Sequence, residues 1–310
     1  MIHRRSHQLG AAFAAMLLAA SLGARSAAAE EAAAPATAEP AATDSTEEGP
    51  NTGALSITLD DSFTTAYMFR GIAVQRDGLI WQPSVEVGLN LFESEEGLVR
   101  SVDLGMGIWA SYQSKDAYSA GDDGLFEVDY YPSLSATWQG GVTTGITYYA
   151  YTAGNGSWRT VEEVDVDLAW DDSDLLGAWA LNPTATLAFE TKNTSFGTGK
   201  GASLQLGIEP GTEVTLPIEG AEQYPLSLTF PATLGLSLDS YYNDGTRDEA
   251  FGYFAAGLHA SVPLAFLPKR YGSWSVTNGF DLYVLNDALE AANRNDAVYP
   301  VWTSSVTLEY

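Results

Sequence analysis

Residues 55–70 read Leu-Ser-Ile-Thr-Leu-Asp-Asp-Ser-Phe-Thr-Thr-Ala-Tyr-Met-Phe-Arg. Leu55, Ile57, Leu59, Phe63, Tyr67 and Phe69 share one parity, while Ser56, Thr58, Asp60, Ser62, Thr64 and Arg70 share the other. Successive side chains of an extended chain point to opposite sides, so this alternation predicts a strand with one apolar and one polar face. The run exceeds the roughly five or six residues usual in soluble sheets. It reaches the roughly ten that a tilted strand needs to cross hydrocarbon.

The same pattern recurs downstream. Val85, Val87, Leu89 and Leu91 oppose Ser84, Glu86, Gly88 and Asn90, and Val102, Leu104, Met106 and Ile108 oppose Asp103, Gly105, Gly107 and Trp109. Phe126, Val128, Tyr130, Leu134, Ala136 and Trp138 oppose Glu127, Asp129, Tyr131, Ser133, Ser135 and Thr137. Further runs at 142–151, 159–170, 179–191, 201–216, 226–240, 251–264, 273–284 and 300–310 bring the total to about twelve. An even number returns both ends of an antiparallel ring to one side. The expected fold is all-β, a transmembrane antiparallel up-and-down β-barrel over residues 54–310. A soluble sandwich also alternates, but it does not need so many long strands.

The connections agree with that reading. Polar links such as QSKDAYSAGDDG, KNTSFGTGKG, YYNDGTRDEA and LNDALEAANRNDAVY alternate with links that are on average shorter, such as QGG and ESEEG. Long external loops and short inner turns are the asymmetry expected of such a barrel, although PIEGAEQYP departs from it. Tyr112, Trp138, Tyr151, Trp158, Trp170, Trp179, Tyr241, Trp274 and Trp302 lie near strand ends, where indoles and phenols form interfacial girdles.

The flanks bound the compartment. Residues 1–29 carry Arg4 and Arg5, an apolar stretch at 9–22 and the small run Ser26-Ala27-Ala28-Ala29. That order predicts a secretory signal removed after Ala29, and hence export to the cell outer membrane. Residues 30–53 contain no aromatic residue and no aliphatic residue larger than alanine. They are expected to form a disordered leader, because they bury too little surface to offset ordering entropy.

Lys and Arg number 14 against 40 Asp and Glu, a formal charge of −26. The signal holds Arg4, Arg5 and Arg25 and no acid, so its removal takes the charge three further, to −29. A phosphate backbone needs a basic surface, which excludes nucleic acid as a natural partner. Outer-membrane lipids, small solutes and cations are the expected company. The chain has no cysteine, which excludes disulfides and thiolate metal sites. It also lacks a phosphate-binding glycine loop, a zinc constellation and a dinucleotide fingerprint, so no cofactor is expected.

Thr64-Thr65-Ala66-Tyr67-Met68-Phe69-Arg70-Gly71-Ile72, followed by Trp81-Gln82-Pro83-Ser84-Val85, resembles the opening of the TorF-type porins. That family is characterised by an aromatic-x-x-Arg-Gly segment ending the first strand and a Gln-Pro start to the second. The resemblance spans about forty residues and implies an outer-membrane barrel, called a porin largely by analogy. Trp302, Ser304, Val306, Leu308 and Tyr310 alternate up to a terminal aromatic residue. This looks like the carboxy-terminal signal that outer-membrane barrels present to their assembly machinery.

With the apolar faces turned to lipid, the opposite faces line a lumen. Strand phase places Asp60, Glu86, Asp103, Glu127, Asp129, Glu163, Asp165, Asp167, Glu190, Glu209, Asp239 and Asp281 there, against Arg70 and His259. A narrow passage so lined concentrates cations and repels anions. The expected function is therefore a porin-like channel for passive, cation-favouring diffusion of small solutes. A second reading is a closed structural or adhesive barrel, with Arg70 held between carboxylates as a tie across the lumen.

A remoter reading is a lipid hydrolase. His259-Ala260-Ser261 puts an imidazole and a hydroxyl on one strand face, similar to the His-x-Ser pair of outer-membrane phospholipases. The phase turns His259 inward, away from lipid, and no neighbouring motif completes a site, so catalysis is not expected. Asn243, Asp244, Asp248 and Glu249, and separately Asp122, Asp123 and Glu127, offer oxygen ligands suited to calcium. Neither group has the spacing of a calcium-binding loop, and solvated charge is the simpler account.

Overall fold

The computed structural model describes residues 54–116, 121, 123–196, 199–215 and 224–310. The expected signal and leader lie outside them, as does Asp122. The described chain forms a closed antiparallel barrel of twelve wall strands. Wall strands β1 (Leu55–Thr64), β4 (Ile80–Glu93), β5 (Val99–Gln113), β6 (Gly124–Trp138), β7 (Val142–Ala153), β8 (Val161–Trp170) and β9 (Thr184–Lys192) follow one another in space. The eighth wall strand is β10 (Ala202–Ile208) continued by β11 (Gly211–Val214), and the ninth is β12 (Leu226–Thr229) continued by β13 (Ala232–Asp239). Pro210 and Pro231 stand at the two breaks, where a residue without an N–H cannot extend the ladder. The ring is completed by β14 (Phe251–Pro263), β15 (Ser273–Leu285) and β16 (Val298–Glu309), and β16 returns to β1 from Thr58↔Glu309 to Thr64↔Thr303.

Parity does what the alternation predicts over most of the wall. In β16, Val301, Thr303, Ser305 and Thr307 are buried inward while Trp302 is 43% exposed outward. Leu89, Leu104, Met106, Ile108, Leu134, Ile146, Val166 and Leu168 are likewise exposed on the outer surface. Asp61 breaks this apolar surface. Its carboxylate accepts the Trp81 indole N–H beside the stacked rings of Trp81 and Tyr112.

The first strand is shorter than expected. It ends at Thr64, and residues 66–75 fold into the barrel as a small hairpin of β2 (Tyr67–Phe69) and β3 (Ile72–Gln75). Tyr67 and Phe69 are therefore buried inside rather than turned to the outer surface, and Arg70 and Gly71 form the hairpin tip. The apolar run Ala66-Tyr67-Met68-Phe69 has no alternation because all four side chains are enclosed. Four further expectations are corrected by the same inward packing. Phe126 lies at a bulge, since Ser111 pairs with Glu127 and Tyr112 with Leu125, so its ring turns inward alongside Glu127. Tyr151 and Tyr241 are buried, and Trp158 packs against the core, so none of them joins an outer girdle. Trp179 is 83% exposed but belongs to the link between β8 and β9, which carries α1 (Ser173–Leu176) and a turn of 3-10 helix.

The link after β15, read as a plain polar loop, contains α2 (Asp287–Ala292). Asn286 caps it by accepting the Leu289 N–H at 2.7 Å, which satisfies one of the donors left free at a helix start. Ala288 and Leu289 are buried against the inner hairpin, so this loop folds down over the mouth.

Large inward rings need space, and glycines opposite them supply it. Tyr253 of β14 lies across from Gly235 of β13 and donates its hydroxyl to Gln205 at 2.8 Å. A Cβ on Gly235 would sit 2.1 Å from the Tyr253 ring, and one on Gly107 would sit 1.9 Å from the Tyr131 ring. Gly235→Ala is accordingly expected to destabilise the barrel by about 1–3 kcal/mol, the usual cost of overpacking. Thermal midpoints from gel-shift assays on Gly235→Ala, Tyr253→Ala and the double variant check this. The double should lose less than the sum of the singles, and a Gly235→Ala protein as stable as the parent would refute the fit.

Candidate functional site

The barrel interior gathers most of the expected charged residues. Glu127, Asp129, Glu163, Asp165, Asp167, Glu190, His259 and Asp281 are buried inward, and Asp60, Glu86 and Asp103 are half-buried on inward parity. Asp239 is an exception: it is exposed at the loop end of β13, where the wall no longer encloses it. Glu209 is exposed as well, at the break between β10 and β11.

Inside the barrel, near its loop end, Arg70 is buried, with 2% of its surface exposed. Its Nη1 donates to Glu163 Oε2 at 2.7 Å and to the Tyr241 hydroxyl at 3.0 Å. Its Nη2 donates to Glu163 Oε1 at 2.6 Å and to Asp165 Oδ2 at 3.2 Å. A guanidinium fork facing a carboxylate in two parallel bonds is the strong form of this contact. Tyr151 donates a further bond to Glu163 at 3.0 Å, and the Arg70 plane rests 5.1 Å from the Phe69 ring and 5.5 Å from the Tyr241 ring. Burial pushes the Tyr241 hydroxyl well above its ordinary range, so it remains a neutral partner.

The hairpin backbone is held separately. Ala73 N–H donates to Asn293 Oδ1, and Asn293 Nδ2 donates to Gly71 O, both at 2.8 Å. Tyr242 adds a bond from its hydroxyl to Arg70 O at 3.3 Å. Asn293 is fully buried just beyond α2, so the helix-bearing loop clamps the hairpin from above. Sequence reading found the Arg70 tie but missed this clamp, because an asparagine in a polar loop carries no periodic signal.

Several carboxylates serve the wall rather than stand free. Glu190 accepts the backbone N–H groups of Ser195 and Gly201 beyond β9. Asp167 accepts from Thr186 at 2.8 Å, Asp103 from Asn90 at 2.7 Å and from Ser101 at 2.8 Å, and Asp60 from Thr307 at 2.7 Å. In the loop after β13, Thr246 and then Arg247 hydrogen-bond Asp244 and hold its carboxyl below the usual range. That carboxylate, weighed above as a calcium ligand, is thus engaged in a local turn. Glu127, weighed with Asp123, instead turns into the barrel.

His259 and Ser261 face inward as their phase requires. Asp281 on β15 lies 3.1 Å from His259 Nε2 through each oxygen, so a carboxylate does orient the imidazole, a group that no local motif disclosed. The Ser261 hydroxyl accepts from Thr277 at 2.9 Å.

Two of the cavities bordered by the described residues have no lining residue in common. One, about 460 Å³, opens beside the hairpin on the loop side, between Phe69, Phe126, Tyr151 and Trp158. The other, about 220 Å³, lies toward the end of the barrel where β1 begins and β16 finishes and is bordered by Ser56, Glu86, Asn90, Asp103 and Thr143.

No family model matches the chain, and no curated protein does, so the TorF-type resemblance of residues 64–85 is not established as membership. Solved structures do resemble it in shape. An outer membrane channel from Pseudomonas putida F1 is 13% identical over 87% of this chain and 100% of that one, with a TM-score of 0.45. Outer membrane phospholipase A from Escherichia coli is 13% identical over 82% and 92%, with a TM-score of 0.41, and the NanC porin is 10% identical over 81% and 98%, with 0.39. Proteins that differ this much in activity share the barrel alone, and no functional argument follows from the likeness.

Proposed function

We propose that the chain is an exported outer-membrane channel of porin type, through which small solutes diffuse passively with a preference for cations. The observation that carries this reading is the division of the wall. Apolar side chains cover its outer surface while carboxylates crowd the inner one, against one buried guanidinium and one imidazole among the described residues. An outer surface of this kind is stable only in hydrocarbon, where a closed ring leaves no backbone group unpaired. Both termini then face the periplasm, and the inner hairpin and α2 face outward. Residues 1–29 act as the removed signal, and the strand ending in Tyr310 is the segment offered to the assembly machinery.

Inside, the acidic wall sets the sign of the potential and the hairpin sets the bore. Glu86 and Asp103 border the termini-side cavity, within a Debye length of about 8–10 Å of any ion passing it. We read the His259–Asp281 pair as part of the wall and not as a catalytic base. The carboxylate already engages Nε2, and both His259 and Ser261 face away from lipid. A closed structural barrel is the second reading, favoured by the fastening of the hairpin through Arg70 and Asn293.

Two measurements test these statements. In planar bilayers under a KCl gradient, the reversal potential is expected to favour potassium, and Glu86→Gln with Asp103→Asn should move it toward the unselective value. Chloride preference, or no conductance at all, defeats the channel reading, and the latter result favours the closed barrel. Separately, Arg70→Ala strips the cation from two buried carboxylates, a loss of about 3–5 kcal/mol for a broken buried pair. The hairpin should then leave the lumen and unitary conductance should rise, with a smaller rise for Asn293→Ala. Unchanged conductance in both variants would show that the hairpin does not limit the passage.

A further inference from the structure

The loop-side cavity differs in chemistry from the acidic wall beneath it. Its volume of about 460 Å³ falls within the range of small-molecule sites, and most of its lining is aromatic or aliphatic. Phe69 meets Tyr151 edge-on at 5.3 Å, and Phe126 tilts against Trp158 at 6.2 Å. Ile72, Val74 and Val161 add aliphatic surface. Walls of this kind favour a flat apolar body, by offset stacking or edge contact. Glu127 is the one carboxylate among the described residues of the lining, so Glu163, Asp165 and Asp167 stay outside it.

The polar residues of this lining have partners, with one exception. Asn193 donates to the carbonyl of Thr160 and Thr194 to that of Phe196. Ser195 gives its backbone N–H to Glu190, and the Tyr151 hydroxyl donates to Glu163. Tyr67 and Glu127 are engaged within the fold as well. Arg159 is exposed and forms no hydrogen bond or ion pair among the described residues, in a chain where Asp and Glu outnumber Lys and Arg 40 to 14. Left unpaired amid that excess of acid, its planar fork is open to a carboxylate from outside, the group it matches best.

We propose that this cavity binds a small aromatic carboxylate, with its ring among Phe69, Phe126, Tyr151 and Trp158 and its carboxylate on the fork of Arg159. The apolar walls select the ring, and the unpaired guanidinium selects the charge. A neutral ring forgoes the Arg159 contact, an organic cation is repelled by it, and a carboxylate without a ring leaves the walls unfilled. The site goes beyond the channel reading: it is entered from the loop side, and its occupant reaches it without crossing the acidic wall.

Calorimetry on the detergent-solubilised chain tests the site, with indole-3-acetate, its neutral amide indole-3-acetamide, tryptamine and acetate as probes. Indole-3-acetate should bind at least about tenfold tighter than each of the other three. Arg159→Gln, at an exposed position without a partner, should bring the acid down to the affinity of the amide and leave the amide unchanged. Trp158→Leu should weaken acid and amide alike, by roughly two- to tenfold, the worth of one aromatic contact. The proposal fails if the amide, tryptamine or acetate binds as tightly as the acid, or if no probe binds at all. It fails equally if Arg159→Gln leaves the advantage of the acid intact. Conductance is not a readout of this site, so binding without ion passage keeps the site and overturns the channel, whereas ion passage without binding does the reverse.

Discussion

The seam between β1 and β16 is the constraint from which the remaining architecture follows. Once the last strand pairs with the first, the sheet has no edge, and each wall residue has two directions available, out or in. Alternation along the chain then becomes a division between two environments. The outer one accepts Leu, Ile, Val and the exposed rings, and the inner one must accommodate everything else. A ring of this size leaves an interior that side chains alone do not fill. The chain meets that requirement with a piece of itself, the hairpin at residues 66–75.

Electrostatics decides how that piece is held. Carboxylates brought together in an enclosed space repel one another, and an enclosed charge without a partner is costly. Arg70 answers both difficulties at once by binding Glu163 through two parallel bonds and reaching Asp165 as well. The tyrosines around it provide hydroxyl partners and flat faces, which a guanidinium accepts better than an ammonium group would. Packing and charge therefore act at the same place: the residue that offsets Glu163 and Asp165 also anchors the hairpin tip.

Much of this was legible in the sequence, and the exceptions share a physical origin. Period-two alternation located the wall strands, since it depends only on the local geometry of an extended chain. The inward acids followed from the same parity, and Arg70 was expected among them. Tyr67 and Phe69 were misplaced because their spacing continues the parity of β1 after the strand has ended. The continuous run from Ala66 to Phe69, apolar at every position, was the available sign of enclosure on all sides. Phe126 was misassigned because a single bulge inverts parity without changing composition. The short helix α2 and the Asn293 clamp depend on contacts made over long stretches of chain, which no local pattern encodes.

Those long stretches bear on how the molecule is assembled. Arg70 meets Glu163 at a separation of 93 residues, and Ala73 meets Asn293 at 220. Contacts so far apart carry the greatest loop-closure entropy and form after the local pairings. The hairpin belongs to the opening of the barrel, yet its final fastening comes from the last loop before the closing strand. The fastening of the hairpin therefore waits on the last loop: a chain that stops short of Asn293 lacks the latch for its own mouth, however well its earlier strands have paired.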